Sequence, residues 1–262
     1  KVNLKLNYLL GQIYLEINDY DNSLHFFKES IKNDPSDYKA YDKIGNIFAD
    51  KNNYTEAISF YNEALSINPN YSISYYNLGV LYEQINRTKN AYSSYQLSIE
   101  KDSGNFKALN NMAGILVNMG KLDQAIKYYE KAIKINPEYQ ESYNNLGVVY
   151  NNLSRYDDAK NIFNKVIYIN PNYAEAYNNL GITFDALGNY ACAIKLFKKS
   201  ISLLPNLYDA YNNLGISYKA IGDFNKAVKS FKKSISINKN FYNAYLNLGY
   251  TLLDNNQINE SI

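Results

Sequence analysis

Hydrophobic residues recur along this chain at helical spacing. Across residues 174–207, Tyr177, Leu180, Gly181 and Phe184 fall at i, i+3, i+4 and i+7, which is one face of an α-helix. A second set, Tyr190, Ala193, Ile194, Phe197 and Ile201, repeats that spacing after Gly188-Asn189. The segment therefore predicts two amphipathic helices, A and B, and the same pattern returns every 34 residues. Gly11, Gly45, Gly79, Gly147, Gly181, Gly215 and Gly249 are separated by 34 or, across Ala113, by twice 34. Counting position 1 at Ala174, the expected organisation is a single array over residues 1–262. Its units are 4–37, 38–71, 72–105, 106–139, 140–173, 174–207, 208–241 and a partial 242–262.

Punctuation keeps the same period. Position 15 reads Asn18, Asn52, Asn86, Gly120, Ser154, Gly188, Gly222 and Asn256, mostly residues that tolerate the left-handed conformation ending a helix. Position 32 is Pro35, Pro69, Pro137, Pro171 and Pro205, with Ser103 and Lys239 in the two other full units. Proline there is expected to close helix B and to suit the first turn of the next helix. Gly181 and Ala193 are small, as a close approach of helices A and B requires.

Composition narrows the classes without naming one. A chain of 262 residues that is 46% hydrophobic folds, and a net charge of +2 gives no general attraction to nucleic acid or an anionic membrane. The single Cys192 cannot form an internal disulfide. No apolar run approaches a membrane span, and the first residues already carry the repeat pattern instead of a signal peptide. An intracellular, cytoplasmic or nuclear, location is the expectation. The start without Met and the stop at Ile262, partway through a unit, suggest a piece of a longer chain.

An aromatic at position 4, Leu-Gly at 7 and 8, Tyr or Phe at 11, Ala at 20, an aromatic at 24 and Pro at 32 resemble the tetratricopeptide repeat (TPR) over the whole chain. Departures are Ala113 for Gly, Lys239 for Pro, Ser23 for Ala, and Tyr or Phe for Trp at position 4. The resemblance implies an all-α, right-handed TPR solenoid, a superhelix of helix-turn-helix repeats whose A helices line a concave surface. In such an array the end after Gly249 is expected to fray unless capped.

On an A helix, positions 4, 7, 8 and 11 share one side and positions 2, 6, 9 and 13 lie opposite, toward the groove. Position 6 reads Leu9 and Lys43, then Asn77, Asn111, Asn145, Asn179, Asn213 and Asn247. A carboxamide donates and accepts, so it complements a peptide bond whatever the side chains are. Like helices about 10 Å apart would place one Asn per roughly three residues of an extended ligand. The alternative is an amide ladder that bonds neighbouring A helices to each other. Position 5 is Asn at Asn110, Asn144, Asn178 and Asn212, nearer the helix flank, where solvation is expected. Position 2 changes sign from Lys5, Lys39 and Lys107 to Glu141, Glu175 and Asp209, beside Val148, Ile182 and Ile216 at position 9. These acids fit ligand hydroxyls, amides or basic groups, or simply a helix start.

The asparagine row with acids at position 2 looks like the TPR region of protein O-glycosyltransferases of the O-linked N-acetylglucosamine and SPINDLY (O-fucose) types. That resemblance implies an array that presents extended substrates to a separate catalytic domain. It assigns Asn77, Asn111, Asn145, Asn179, Asn213 and Asn247 to the ligand backbone, with Glu141, Glu175 and Asp209 as companions, although the family ladder is typically Asp. A second resemblance is to co-chaperone carboxylate clamps, through Lys39, Lys43, Asn77, Lys107 and Asn111, with Lys43 in place of Asn and Asn111 in place of Arg. A third reading is an assembly scaffold acting through the outer face.

No catalytic set is expected in these residues. His25 and Cys192 are read as packed residues, one His and one Cys cannot build a metal or nucleophile site, and no cofactor is called for. The Gly114 to Lys121 stretch has the wrong spacing for a phosphate loop. Most of the 29 tyrosines recur at core positions, which argues against base stacking. Lys198-Lys199 and Lys232-Lys233 read as solvated charges. The expected partners are extended protein or peptide segments, not nucleic acid or membrane, with self-association through repeat surfaces left open.

Overall fold

The computed structural model of the chain describes residues 2–254. Within them the backbone forms fifteen helices and no strand. The first compact unit holds α1 (Val2–Glu16), α2 (Tyr20–Asn33), α3 (Tyr38–Asp50), α4 (Tyr54–Ile67), α5 (Ser72–Gln84), α6 (Thr88–Lys101), α7 (Phe106–Asn118) and α8 (Leu122–Ile135). The second holds α9 (Gln140–Asn152), α10 (Tyr156–Ile169), α11 (Ala174–Ala186), α12 (Tyr190–Leu203), α13 (Tyr208–Ala220), α14 (Phe224–Ile237) and α15 (Tyr242–Asp254). Odd-numbered helices are A and even-numbered ones B. Inside each unit every helix packs on its neighbours in sequence, and A helices also touch directly, α3 on α5, α9 on α11, α11 on α13 and α13 on α15.

The A–B contact is built on an absent side chain. A Cβ placed on Gly181 would lie 2.6 Å from the Phe197 ring, and one on Gly215 would lie 2.5 Å from Phe231. Gly11 faces Phe27, Gly45 Tyr61, Gly79 Tyr95 and Gly147 Phe163 in the same way. Position 8 thus receives the ring of the position 24 aromatic. Burying each such ring contributes roughly 1.5–3 kcal/mol. The rings seed the cores, as where Phe197 and Phe231 cluster with Ala193, Ile194, Leu214, Tyr218 and Ala227. Ala113 replaces glycine opposite Tyr129, both buried, so a methyl is accommodated where the surrounding repeat is built around it. Ser23, where the pattern has Ala, is also buried, and its hydroxyl donates to the Gly11 carbonyl at 2.7 Å.

Both turns follow from local chemistry. Position 15 has positive φ at Asn18, Asn52, Asn86, Gly120, Ser154, Gly188 and Gly222. The next N–H then reaches back to position 11, as from Asn189 to the Phe184 carbonyl at 2.8 Å, the Schellman closure of helix A. Asn256 lies outside the described residues, as does the chain beyond α15 for which fraying is expected. At the B–A junction the expectation for proline needs correction. Pro171 does follow helix B, but it occupies a β-turn closed by Tyr173 N–H donating to the Asn170 carbonyl at 3.1 Å, and α11 starts only after that turn. The Asn170 side chain also accepts from Asn172 N–H at 3.0 Å. Asp34, Asn68, Asp102, Asn136 and Asn238 make the same side-chain turn, so the turn forms at Lys239 and Ser103 without proline.

Two predictions test these packing and turn arguments. Gly181→Ala gains about 1 kcal/mol of helix propensity but forces the Phe197 ring away, at about 1–3 kcal/mol. It should lower stability in urea denaturation, whereas Gly114→Ala, whose Cβ would come no nearer than 3.9 Å to Tyr129, should raise it. Lys239→Pro should also stabilise, by about 0.4–1 kcal/mol. Asn238 before it already has the extended backbone that proline demands, at φ −126° and ψ 98°.

Candidate functional site

The position 6 asparagines sit half-exposed along the A helices, and Asn179, Asn213 and Asn247 of the second unit share one bonding pattern. Asn179 donates through Nδ2 to Asn144 Oδ1 at 3.0 Å, Asn213 to Asn178 at 3.1 Å, and Asn247 to Asn212 at 2.9 Å. Each bond runs from position 6 to position 5 of the preceding repeat. The expectation that position 5 is solvated is therefore overturned. Asn178 and Asn212 are buried, because the neighbouring A helix covers the flank of a helix that would be open in isolation. The amide ladder between A helices exists, and it leaves each of these position 6 amides with a second N–H and a carbonyl.

A second polar seam runs one turn further along. Thr183 and Ser217, both buried at position 10, donate to Asn151 Oδ1 and Asp185 Oδ1 of the preceding repeats. Burial raises the Asp185 carboxyl above its ordinary range. Sequence reasoning misses this seam, although Thr183, Ser217 and Thr251 succeed one another at a position that is otherwise aliphatic. Between the seams, Ile182 and Ile216 are exposed and Val148 is half-buried. Of the three acids, Glu175 is exposed while Glu141 and Asp209 are half-buried. Burial also raises the Asp209 carboxyl. The Tyr173 hydroxyl is pushed up by burial and, to a lesser extent, by the charges of Glu175 and Glu141.

The first unit uses other partners. Asn77 donates to Asp42 Oδ1 and to Asn46 Oδ1, both at 3.0 Å. Asn111 donates to the Tyr95 hydroxyl at 3.1 Å and accepts from Asn110 at 3.1 Å. Asp42 is fully buried. Its Oδ1 also accepts from Ser74 at 2.6 Å, while Oδ2 has no hydrogen-bond partner. Burial raises its pKa, against the opposing hydrogen bond from Ser74 and the charge of Lys43. A concavity of about 620 Å³ on this face is walled by Asn46, Asp50, Tyr61, Asn77 and Gln84. Lys39 and Lys107 are exposed and Lys43 is half-buried. A carboxylate clamp needs amide donors, and both Asn77 hydrogens point at Asp42 and Asn46, so these residues suit an incoming anion poorly.

His25 is exposed, not packed, and sits edge-on to Phe26 at 5.1 Å, while Cys192 is half-buried. Among the described residues no group of His, Cys, Asp and Glu is arranged to hold a metal. Nor is any helix among them long and apolar enough to cross a membrane.

Fold and repeat geometry together define a helical-repeat scaffold. Family models for the TPR repeat and tetratricopeptide repeat match residues 4–37, 45–86, 73–104, 106–139, 138–206, 208–241 and 230–262, and the chain belongs to the tetratricopeptide repeat family. No curated protein is significantly similar in sequence. Among solved structures, a tetratricopeptide repeat protein from Parabacteroides merdae is similar over 96% of this chain and 100% of its own, at TM-score 0.71 and 18% identity. The Cut9–Hcn1 hetero-tetramer of APC/C is similar at TM-score 0.75 and 17% identity, over 92% of this chain and 51% of that one. YrrB, described as a TPR protein with an unusual peptide-binding site, is similar at TM-score 0.58 and 23% identity, over 70% of this chain and 95% of its own. These identities establish the fold.

The buried carboxyl of Asp42 gives a pH prediction. Because its folded-state pKa is raised, its contribution to stability is complete below the ordinary value of 3.8 and is lost as pH rises through the folded value. Asp42→Asn removes that loss. The substitution should raise stability by about 1–2 kcal/mol at pH 7 and by little at pH 4, measured by urea denaturation at both.

Proposed function

We propose that the array binds extended polypeptide segments along its A-helix face, with the second unit's asparagines contacting the ligand backbone. One observation carries this reading: Asn179, Asn213 and Asn247 recur in one bonding pattern, held by the position 5 amides of the preceding repeat, and stay half-exposed. A side chain already held in place loses less entropy on binding, so fixing it favours affinity. The exposed Ile182 and Ile216 supply apolar contact, and Glu141, Glu175 and Asp209 favour hydroxyl, amide or basic groups at its edge. YrrB, with its unusual peptide-binding site, is a precedent for peptide binding by a TPR protein.

In its finer form the proposal is that the bound segments are Ser/Thr-containing substrates, delivered to a protein O-glycosyltransferase. The asparagine row and its acidic companions are the support for that form. Asn77 and Asn111 stand apart, since their amides are bonded within the first unit.

Ile182→Arg with Ile216→Arg obstructs the face while leaving the amide pairs intact. Both sites are already exposed, so the melting temperature should hold. Binding of an unstructured Ser/Thr-containing peptide library should weaken at least about tenfold, or about 1.4 kcal/mol. Undiminished binding would overturn the proposal. Replacing Ser/Thr with Ala in the library should weaken binding if the finer form holds, and should leave it unchanged if only the backbone is read.

A further inference from the structure

Two B helices of the second unit carry a concentration of charge that neither the fold nor the A face requires. Helices α12 and α14 contain Lys195, Lys198, Lys199, Lys226, Lys229, Lys232 and Lys233, all exposed, and no Asp or Glu. The whole chain has a net charge of only +2, so this is a local field, not a general one. Among the described residues Lys195, Lys229 and Lys233 have no acidic partner, and Lys226 pairs with Asp223 at the helix start, at 2.6 Å. Beside these lysines lies a groove of about 630 Å³ with Tyr211, Leu214 and Tyr218 as its floor and Lys226, Lys229 and Lys233 along its rim. Lys198 reaches the same floor from α12, with its ammonium 5.7 Å from the Tyr218 ring, where Lys226 is at 5.4 Å.

The third repeat supplies an internal control. Its groove at the same place has the same floor, Tyr75, Leu78 and Tyr82. The positions of Lys226, Lys229 and Lys233 are held there by Asn90, Ser93 and Leu97. Lys89 is the one charged residue lining that groove, and the scaffold folds there with no charge at these three positions, so the three lysines are not needed for packing.

We infer that the groove of α13 and α14 is a docking site for an acidic protein segment carrying an aromatic or aliphatic anchor residue. The apolar floor takes the anchor and the lysine rim takes the flanking carboxylates. Dimensions select this occupant over other anions. Lys226 to Lys233 spans about 10 Å of helix, the length of roughly three extended residues. That is too short to neutralise a long nucleic acid, and a flat membrane surface cannot fill a groove. The groove opens between α13 and α14, and none of its lining residues is among the asparagines, isoleucines or acids assigned to the A face, so the two sites share no side chain.

The test is fluorescence anisotropy of a labelled short peptide with a central phenylalanine flanked by glutamates, at low and high salt, on the whole chain. Lys226→Asn, Lys229→Ser and Lys233→Ser, which carry most of the third repeat's rim into the seventh, should weaken binding at least about tenfold and flatten its salt dependence. The melting temperature should be unchanged, because all three lysines are exposed. Replacing the phenylalanine with serine should also weaken binding. The inference is overturned if the peptide does not bind, or if the triple variant binds it as tightly as the native chain. It is equally overturned if a single-stranded oligonucleotide, or phosphatidylcholine vesicles containing phosphatidylserine, bind through the same lysines as tightly as the peptide.

Discussion

Six of the repeats depend on one contact, an aromatic ring laid against a glycine of the facing helix. At Gly79 a Cβ would lie 2.4 Å from Tyr95, a distance that no side chain tolerates. Glycine within a helix costs about 1 kcal/mol against alanine, and the buried ring offsets this with roughly 1.5–3. The contact also sets geometry, since it fixes how closely A and B approach, and the B helix then forms the surface on which the next A helix docks. In α12 that surface comprises Ala193, Ile194 and Phe197, against which Leu214 and Tyr218 of the next repeat pack. Stability is passed from neighbour to neighbour, as expected when repeats lack long-range contacts.

The seam between A helices solves a different problem. One side of these helices faces solvent, so the seam cannot be wholly apolar without exposing a stripe that would aggregate. Carboxamide pairs fill it instead, and a pair spanning two repeats fixes their register because one donor finds one acceptor. In the second unit one solution recurs three times, Asn179 to Asn144, Asn213 to Asn178 and Asn247 to Asn212. The first unit substitutes Asp42, which accepts from both Ser74 and Asn77. That arrangement gathers more hydrogen bonds but buries a carboxyl with one oxygen unpartnered. An amide at the same position carries no charge to desolvate.

The period, the helix pairs, the left-handed residue at position 15 and the close approach at position 8 are all legible in the sequence, because each is decided within one 34-residue unit. Position 5 is misjudged for the complementary reason. A helical wheel of one helix puts Asn178 and Asn212 on an open flank, and only the next repeat, 35 residues away, covers them. The Thr183–Asn151 and Ser217–Asp185 bonds escape notice on the same account, since neither residue departs from its own helix's pattern strongly enough to announce a partner. Placing proline in the next helix overlooks the Asx side chain before it, which closes a turn of its own. Reading His25 as packed overlooks its place on α2, which points it outward.

An array that places its energy in fixed positions leaves the others free, but not equally so. On the A face, positions 5 and 6 serve both the seam and the solvent side, so a change made for a ligand also disturbs register. The outer grooves carry no such double duty. Their floor is set by the aromatic and leucine positions that pack the core, while positions 19, 22 and 26 touch only the rim. The third and seventh repeats keep one floor and differ in charge at all three rim positions. Recognition that must tolerate many sequences therefore belongs on the seam, where the chemistry is uniform and constrained. Selectivity for a particular charge belongs on the outer rim, where it can change without cost to the fold.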